Sequence, residues 1–163
     1  MSLPFRIEAL GKHDRRQFDC GVEALNDYLR TRVGQDVRRR VAACFVAIDS
    51  ETDRLAGFHT LAAGSVGVGD LPKETAKRLP RYPRVPIVRI ERLTVNLRYC
   101  GMRLGAALLA NAIRRSKSSD IAAYAAVVDA KDDNAVRFYE HHGFMALPST
   151  PRTLFLPLTG KLG

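Results

Sequence analysis

Hydrophobic positions recur with two different spacings along the chain, and these spacings predict where helices and strands lie. Steps of three and four in the first quarter predict an amphipathic helix, and its apolar residues are Val22, Leu25, Leu29, Val33 and Val37. Apolar runs between polar stretches predict strands at residues 4–10, 42–48, 55–63, 86–95, 122–128 and 153–158. The polar residues 49–53 predict a turn that joins the second and third strands into a hairpin.

Two more helices are predicted in the second half of the chain. The first follows strand 86–95, and its apolar stripe consists of Leu108, Leu109, Ala112 and Ile113. The second is short, with Asp133 expected as its N-terminal cap and Gly143 just beyond its end. Residues 70–84 contain three prolines and five basic residues around the helical stretch ETAKRL, which predicts an exposed excursion. The order of elements predicts one α/β domain over residues 1–163, built around a mixed sheet.

Composition narrows the class of protein further. With 46% hydrophobic and 26% charged residues, the 163-residue chain is typical of a globular domain, and no apolar run could cross a bilayer. No export signal is visible, so we expect a cytoplasmic protein with no membrane partner. The three cysteines Cys20, Cys44 and Cys100 have no metal-ligand spacing and are expected to be reduced. The adjacent His141 and His142 would point about 100° apart on a helix, so no metal site is expected.

The formal charge of +9 favours a polyanionic partner such as nucleic acid. Two clusters carry much of this charge. One is predicted on a single helix and comprises Arg30, Arg32, Arg38, Arg39 and Arg40. The other comprises Lys73, Lys77, Arg78, Arg81 and Arg84. Each cluster is compatible with phosphate contacts, with a solvated face or with a surface that an acidic protein segment covers.

The stretch RLTVNLRYCGMRLGAALL indicates an anion site. It reads as strand, turn and helix, and Gly101 and Gly105 allow backbone N–H groups close to an anion at the positive end of the helix. It lacks the lysine of a Walker loop and the G-x-G-x-x-G pattern of dinucleotide-binding turns. A pyrophosphate group is the ligand that this arrangement favours.

A second stretch, DNAVRFYEHHGF, follows about thirty residues later. Together the two stretches resemble the GNAT superfamily of N-acetyltransferases, whose acetyl-CoA signature is Q/R-x-x-G-x-G/A. The segments FDCGVEALNDYL, GFHTLAAGSV and RTLFLPL resemble its toxin branch, the TacT/AtaT-like acetyltransferases encoded beside ribbon-helix-helix antitoxins. This resemblance covers nearly the whole chain. It implies a single mixed, mostly antiparallel sheet of about six to seven strands flanked by about four helices.

The resemblance also implies a set of acetyl-CoA contacts. The backbone of the strand would bind the thioester and pantetheine through Leu93, Thr94 and Val95. The turn and helix start would bind the diphosphate through Arg98, Gly101, Met102, Arg103, Leu104, Gly105 and Ala106. The sequence departs from the signature at Cys100, where Gln or Arg is usual, and at Arg103, where the first glycine is usual. The Arg103 side chain would either crowd the phosphate or add attraction to it.

Residues of the second stretch are expected to serve the reaction. Tyr139 would donate a hydrogen bond to the departing thiolate, because full proton transfer from a phenol of pKa near 10 to a thiolate of pKa near 8.5 is uphill by roughly 2 kcal/mol. Asn134 would bind the pantetheine arm, and Phe138 would line it. The alternatives are a core tyrosine, a helix cap at position 134 and a core phenylalanine.

A general base is harder to assign. Regular alternation would place Glu91, Leu93 and Val95 on one face of the strand, where Glu91 either acts through water or pairs with an arginine. Leu93 and Val95 would then also be core residues. His59, His141 and His142 are expected to be structural or surface residues.

The toxin branch acetylates the α-amine of aminoacyl-tRNA and so blocks translation, and the resemblance suggests a homodimer. One alternative is an enzyme that acetylates a small amine or a protein N-terminus. Another is a CoA-binding or nucleic-acid-binding module without catalysis.

Overall fold

Seven strands form one sheet within residues 4–159, the part of the chain that the computed structural model describes. The strands are β1 (Phe5–Ala9), β2 (Ala43–Asp49), β3 (Leu55–Gly67), β4 (Arg84–Val95), β5 (Ala125–Asp129), β6 (Met145–Leu147) and β7 (Thr150–Pro157). Their order in the sheet is β1-β2-β3-β4-β5-β7-β6. The β4–β5 pair is parallel, whereas β1–β2, β2–β3, β5–β7 and β6–β7 are antiparallel. The predicted mixed, mostly antiparallel sheet is confirmed.

Four helical segments accompany the sheet in the described residues. The first is continuous and consists of α1 (Glu23–Asp27), a π-helical turn (Tyr28–Arg32) and α2 (Val33–Arg38). The others are α3 (Lys73–Ala76), α4 (Leu104–Ser118) and α5 (Asp133–His141). Short 3₁₀ turns lie at Val68–Asp70 and Leu97–Tyr99. None of the helices in residues 4–159 is long and apolar enough to span a membrane.

Two compact units can be distinguished, and β3 and β4 run through both. The first comprises residues up to 62 together with 90–114, and the second comprises residues 63–89 together with the chain from 115 onwards. The single domain over residues 1–163 stays a prediction.

In the first unit, alternation along β2 supplies two hydrophobic clusters. Val46 and Ile48 pack in a cluster with Leu29 and Val33 of the first helical segment. Ala47, which lies between them, packs instead with the first turns of α4. Successive strand residues point to opposite faces, so the two helical segments cover the two faces of these strands.

In the second unit, β5 is buried along most of its length. Ala125 and Val127 pack with Phe155 of β7 and Leu147 of β6 in one hydrophobic cluster. The three-residue strand β6 was not predicted, because such a short strand leaves no alternation to detect and is stabilised by its pairing with β7.

Several sequence predictions need local correction. The ETAKRL helix is limited to Lys73–Ala76. The first helical segment ends at Arg38, so Arg39 and Arg40 lie in the following turn and the five arginines do not share one helix. The N-cap of α5 is Asp132, whose side chain accepts a hydrogen bond from the amide of Ala135 at 2.8 Å, and not Asp133. Gly143 has the predicted left-handed conformation after α5, with φ 94°.

Candidate active site

The turn between β4 and α4 is anchored by two hydrogen bonds that precede its exposed, glycine-containing part. The side chain of Asn96 caps the 3₁₀ turn by accepting a hydrogen bond from the amide of Arg98 at 3.0 Å. Tyr99 is buried, and its hydroxyl donates to the carboxylate of Asp49 at 2.8 Å. That hydrogen bond holds the pKa of Asp49 below its ordinary value. The turn is therefore fixed to the first unit before the glycine-containing part begins.

Left-handed backbone conformations bring the chain into α4. Gly101 has φ 84°, and Arg103 has φ 59° although it carries a side chain. Beyond its chain neighbours, no atom of the described residues lies within 4 Å of a Cβ built on Gly101, so this residue faces open space there. The amide of Ala107 makes the first backbone bond of the helix, to the carbonyl of Arg103 at 3.2 Å, so the amides of residues 104–106 precede that bond. Such amides are available to an anion.

The charge around this helix start is positive. Arg98 and Arg103 are both exposed, and neither forms an ion pair with another residue of the described chain. Leu104 is buried and holds the helix start against Ala47 and Ala56. The predicted residues Gly101, Met102 and Arg103 lie exposed in the turn, while Gly105 and Ala106 lie half-buried in the first turn of α4. The arrangement suits a diphosphate.

A cavity of about 510 Å³ lies beside residues 96–98. Its charged lining residues are Asp14, Asp19, Asp53, Arg54 and Arg98. Because three carboxylates oppose two guanidinium groups, this cavity is poorly suited to phosphate. The exposed helix start is the better candidate.

The strand that precedes the turn approaches β3 very closely at Gly57. A Cβ built on Gly57 would lie 2.9 Å from the carbonyl oxygen of Thr94 and 2.9 Å from a methyl group of Leu108. Leu93 and Val95 are half-buried and pack against the cluster that contains Leu104 and Leu108. The side chains of Leu93 and Val95 are thus core residues, as the alternative interpretation held, while their backbone groups remain the candidate thioester contacts.

Regular alternation of β4 breaks down at Arg92. This residue has φ 54°, a conformation that a regular strand does not use, so the alternation from which a common face for Glu91, Leu93 and Val95 was expected is interrupted between Glu91 and Leu93. The guanidinium of Arg92 donates to the hydroxyl of Thr60 at 3.2 Å and lies 3.9 Å from the centre of the Tyr28 ring. Tyr28 is held in turn by its hydroxyl, which donates to Asp36 at 2.7 Å.

Glu91 takes part in the same network. Its carboxylate lies 3.0 Å from the guanidinium of Arg92, and its backbone carbonyl accepts a hydrogen bond from Thr60 at 3.1 Å. The pairing with an arginine, which was one of the two alternatives for Glu91, is what the structure contains. A carboxylate engaged in this way is a weak candidate for a general base.

In the second unit, α5 carries the remaining predicted residues. Asn134 is exposed, and its side-chain oxygen accepts a hydrogen bond from Arg137. Asn134 is therefore not the helix cap that the alternative interpretation expected. Phe138 is half-buried, and its ring packs edge to face on Tyr139 at 5.2 Å and on His142 at 4.9 Å.

Tyr139 lies in an aromatic environment. Its ring is 5.6 Å from that of Phe144, and no hydrogen bond joins its hydroxyl to another residue of the described chain. Burial raises the pKa of Tyr139 above its ordinary value. The phenol therefore remains protonated at neutral pH and can act as a hydrogen-bond donor.

The structure also bears on the histidine and cysteine expectations. His59 is completely buried and makes a hydrogen bond at 3.1 Å with Asn111 of α4, which agrees with a structural role. Burial raises the pKa of Cys44 to about 12, and Cys20, Cys44 and Cys100 form no disulfide. No group of three or more potential metal ligands occurs in residues 4–159.

The two basic clusters differ in how exposed their members are. Arg30 is only one-third exposed, donates to the carbonyl of Phe18 and lies 3.5 Å from Glu23, so it is largely structural. Arg38, Arg39 and Arg40 are exposed at the end of α2 and in the following turn. In the second cluster, Arg84 is held by Ser65, whereas Lys73, Arg78 and Arg81 are exposed.

Arg92, Tyr28 and Asn96 shape the site but were not predicted. A sequence signal for an irregularity near Arg92 is the change of its neighbouring apolar residues from an even position, Ile90, to odd positions, Leu93 and Val95. Asn96 before a helical turn is a recognisable capping residue. No local pattern predicts that Tyr28 meets Arg92, since 64 positions separate them.

Residues 8–144 match the acetyltransferase (GNAT) family, and the chain belongs to that family. A tRNA-acetylating toxin from Mycobacterium tuberculosis is 34% identical over 157 residues, which are 95% of this chain and 91% of the toxin. The structure of AtaT complexed with acetyl-methionyl-tRNAfMet is similar, with a TM-score of 0.86, 29% identity and 94% of each chain covered. A tyrosine-to-phenylalanine mutant of AtaT, bound to acetyl-CoA and the C-terminus of the antitoxin AtaR, has a TM-score of 0.79 at 25% identity, with 95% of this chain and 94% of that chain covered.

Proposed function

We propose that this N-acetyltransferase transfers the acetyl group of acetyl-CoA to the α-amine of aminoacyl-tRNA and thereby blocks translation. The observation that carries the proposal is the start of α4, where the amides of residues 104–106 precede the first helical bond, and where Gly101 and two arginines that form no ion pair within residues 4–159 would suit the CoA diphosphate. Similarity to a tRNA-acetylating toxin over nearly the full length supports the choice of acceptor.

Acetyl-CoA would extend from this helix start along the backbone of β4. The amides of residues 101–106, with Arg98 and Arg103, would bind the diphosphate. Backbone groups of Leu93, Thr94 and Val95 would bind the pantetheine and polarise the thioester carbonyl. Asn134 and Phe138 would contact the pantetheine arm.

In the reaction, the neutral amine attacks the thioester carbonyl carbon and a tetrahedral oxyanion forms. The amine nitrogen then gives its proton to solvent water, the carbon–sulfur bond breaks, and CoA departs as the thiolate. Tyr139 would donate a hydrogen bond to the sulfur as it becomes negative. Since burial raises the pKa of Tyr139, this donation is favoured over complete proton transfer.

A tRNA acceptor would also explain the net positive charge of the protein, which is formally +9. A tRNA is a polyanion, and the exposed Arg38, Arg39 and Arg40 would contact its phosphates in any sequence. We further infer a cytoplasmic homodimer whose activity is blocked by a ribbon-helix-helix antitoxin. AtaT bound to AtaR is the precedent for the antitoxin. Analytical ultracentrifugation with and without a candidate ribbon-helix-helix protein tests the homodimer and the complex, and an acetylation assay with the same protein tests the block of activity.

The decisive experiment is incubation with labelled acetyl-CoA and four acceptors: charged tRNA, uncharged tRNA, polyamines and a peptide mixture. We expect label on charged tRNA alone. Label on polyamines or peptides would support the alternative small-amine or N-terminal acetyltransferase. Binding of CoA by calorimetry with no transfer to any acceptor would support a non-catalytic module.

The variant Tyr139→Phe provides the mechanistic control. It removes only the hydroxyl, which makes no hydrogen bond within the described residues, so the fold should be retained. We expect turnover to fall on the order of 10²–10⁴-fold with CoA affinity unchanged. Full turnover in this variant would exclude Tyr139 from the mechanism.

A further inference from the structure

An aromatic side chain stands exposed within the second basic cluster. Tyr82 is 66% exposed, so most of its ring and hydroxyl are in contact with solvent. It lies in the basic segment 73–84, which contains five basic residues and one acidic residue.

The backbone on both sides of Tyr82 is fixed. Its amide donates to the carbonyl of Pro80 at 2.8 Å, and the carbonyl of Pro83 accepts a hydrogen bond from Val68 at 3.1 Å. Arg84 donates to the hydroxyl and the carbonyl of Ser65 at 2.7 and 3.1 Å. Pro83 also restricts the backbone of Tyr82 to extended conformations. The ring is therefore presented to solvent from an ordered backbone, which lowers the entropy lost when a ligand packs on it.

The charges of the basic segment that contains Tyr82 are largely uncompensated within the described residues. Lys77 lies 3.5 Å from Glu74, the one acidic residue of the basic segment. Lys73, Arg78 and Arg81 form no ion pair with any residue in the described part of the chain. An anionic partner would gain contacts with these three cations without first breaking an ion pair.

We infer that Tyr82 is a stacking platform for an unpaired base at the 3′ end of aminoacyl-tRNA, with the neighbouring cations bound to its phosphates. The inference rests on the proposed function. Proteins bind single-stranded nucleic acid with exposed aromatic side chains that lie between basic residues. Every base offers a planar face to the aromatic ring, and every nucleotide offers a negative charge to the basic residues. An acidic peptide would match the charge but would leave the ring of Tyr82 without a planar partner. The bases at the 3′ end of tRNA are unpaired next to the aminoacyl ester, so their faces are available.

The chain contains no tryptophan, which permits a direct optical test. Tyr82→Trp places a single tryptophan at the platform, which can be excited selectively over the remaining tyrosines, and Met145→Trp, at a 46% exposed position in β6, serves as the matched control. We expect a single-stranded oligonucleotide with the tRNA 3′ sequence to quench Tyr82→Trp strongly and Met145→Trp weakly. A fully paired RNA of equal charge should quench neither. Equal quenching of Tyr82→Trp by paired and unpaired RNA, or quenching by polyglutamate instead of RNA, would overturn the inference.

Kinetics with the parent protein separate the two proposals. Tyr82→Ala should raise KM for charged tRNA about 5- to 100-fold and leave kcat and KM for acetyl-CoA unchanged. Tyr82→Phe keeps the ring, so its KM for charged tRNA should stay within about twofold of the parent value. Arg81→Ala should lower the salt dependence of that KM, whereas Tyr82→Ala should leave it unchanged. If the parent acetylates charged tRNA and Tyr82→Ala has the parent KM for charged tRNA, the assignment of Tyr82 as a stacking platform is wrong. If the parent never acetylates charged tRNA, the proposed function fails, whatever the quenching shows.

Discussion

Removal of the Arg92 side chain tests how the strand of the candidate site is held. Arg92 occupies a left-handed conformation, φ 54°, immediately before Leu93, whose backbone we assign to the thioester. A residue with a side chain pays about 1 kcal/mol or more for such a conformation, so surrounding contacts must offset that cost. The side chain of Arg92 supplies these contacts.

The magnitude follows from three contacts. The guanidinium lies 3.9 Å from the Tyr28 ring centre, and such a partly buried cation–π contact contributes about 0.5–2 kcal/mol. The hydrogen bond to Thr60 at 3.2 Å contributes about 1–2 kcal/mol. The ion pair with Glu91 is about one-third exposed on both sides and contributes at most about 1 kcal/mol. Because one side chain makes all three contacts, we expect Arg92→Ala to lower the free energy of unfolding by about 2–4 kcal/mol.

A second variant separates the backbone from the side chain. Arg92→Gly loses the same contacts but adopts the left-handed conformation without strain, so it should be more stable than Arg92→Ala by up to about 1 kcal/mol. Equilibrium unfolding in urea measures both free energies, and calorimetry with CoA should show weaker binding in both variants. If Arg92→Ala unfolds within about 0.5 kcal/mol of the parent, or if Arg92→Gly is the less stable variant, the account of this strand is wrong.

Three other predictions concern the turn, the strand and the phenol. Gly57→Ala should lower the free energy of unfolding by about 1–3 kcal/mol and raise KM for acetyl-CoA, because its Cβ would press on the Thr94 carbonyl. The control Gly69→Ala should change neither quantity, because no atom of the described residues lies within 4 Å of its Cβ. Equal unfolding curves for both variants would contradict this prediction. Arg103→Gly should remove the backbone strain of a left-handed residue, but the loss of the guanidinium should weaken CoA binding by about 2- to 10-fold in calorimetry. Tighter CoA binding in this variant would mean that the Arg103 side chain crowds the phosphate. Burial raises the pKa of Tyr139 in the folded state, so the contribution of its neutral phenol to stability is complete below about pH 10 and is lost as the pH rises further. The difference in the free energy of unfolding between the parent and Tyr139→Phe, measured in urea, should therefore change with pH only above about pH 10.

The elements that the sequence predicted well are those whose pattern is local. The stripe of Leu108, Leu109 and Ala112 on α4 is buried as expected, and the β2–β3 hairpin forms at the predicted turn. In both cases the residues that define the period also supply the buried contacts. The identities of neighbouring residues are therefore enough to predict these two elements.

Features that depend on distant contacts were not predictable in the same way. The conformation of Arg92 is stabilised by Tyr28 and Thr60, and neither is near it in sequence. A run of arginines likewise does not reveal which member is buried, and Arg30 is held by Phe18 and Glu23.

The cap of α5 shows a third kind of limit. Asp132, Asp133 and Asn134 are consecutive and are all good capping residues. The cap is the residue whose backbone is extended, and Asp132 has φ −158°. Composition identified the start of the helix, and the backbone decided among the three.

The pairing of Glu91 with Arg92 bears on which amine the enzyme acetylates. The Glu91 carboxylate is already engaged by the guanidinium of Arg92 at 3.0 Å, so we expect the enzyme to use substrates that need little help in losing a proton. An α-amine with a pKa of about 7.7–8.0 is roughly one-third neutral at pH 7.5, whereas a lysine with a pKa of about 10.4 is only about 0.1% neutral. That difference of about 300-fold in the reactive form favours an α-amine acceptor. It predicts that the rate with charged tRNA rises with pH only up to the pKa of the substrate amine and then becomes constant. A rate that continues to rise tenfold per pH unit above pH 9 would instead indicate a lysine-like acceptor.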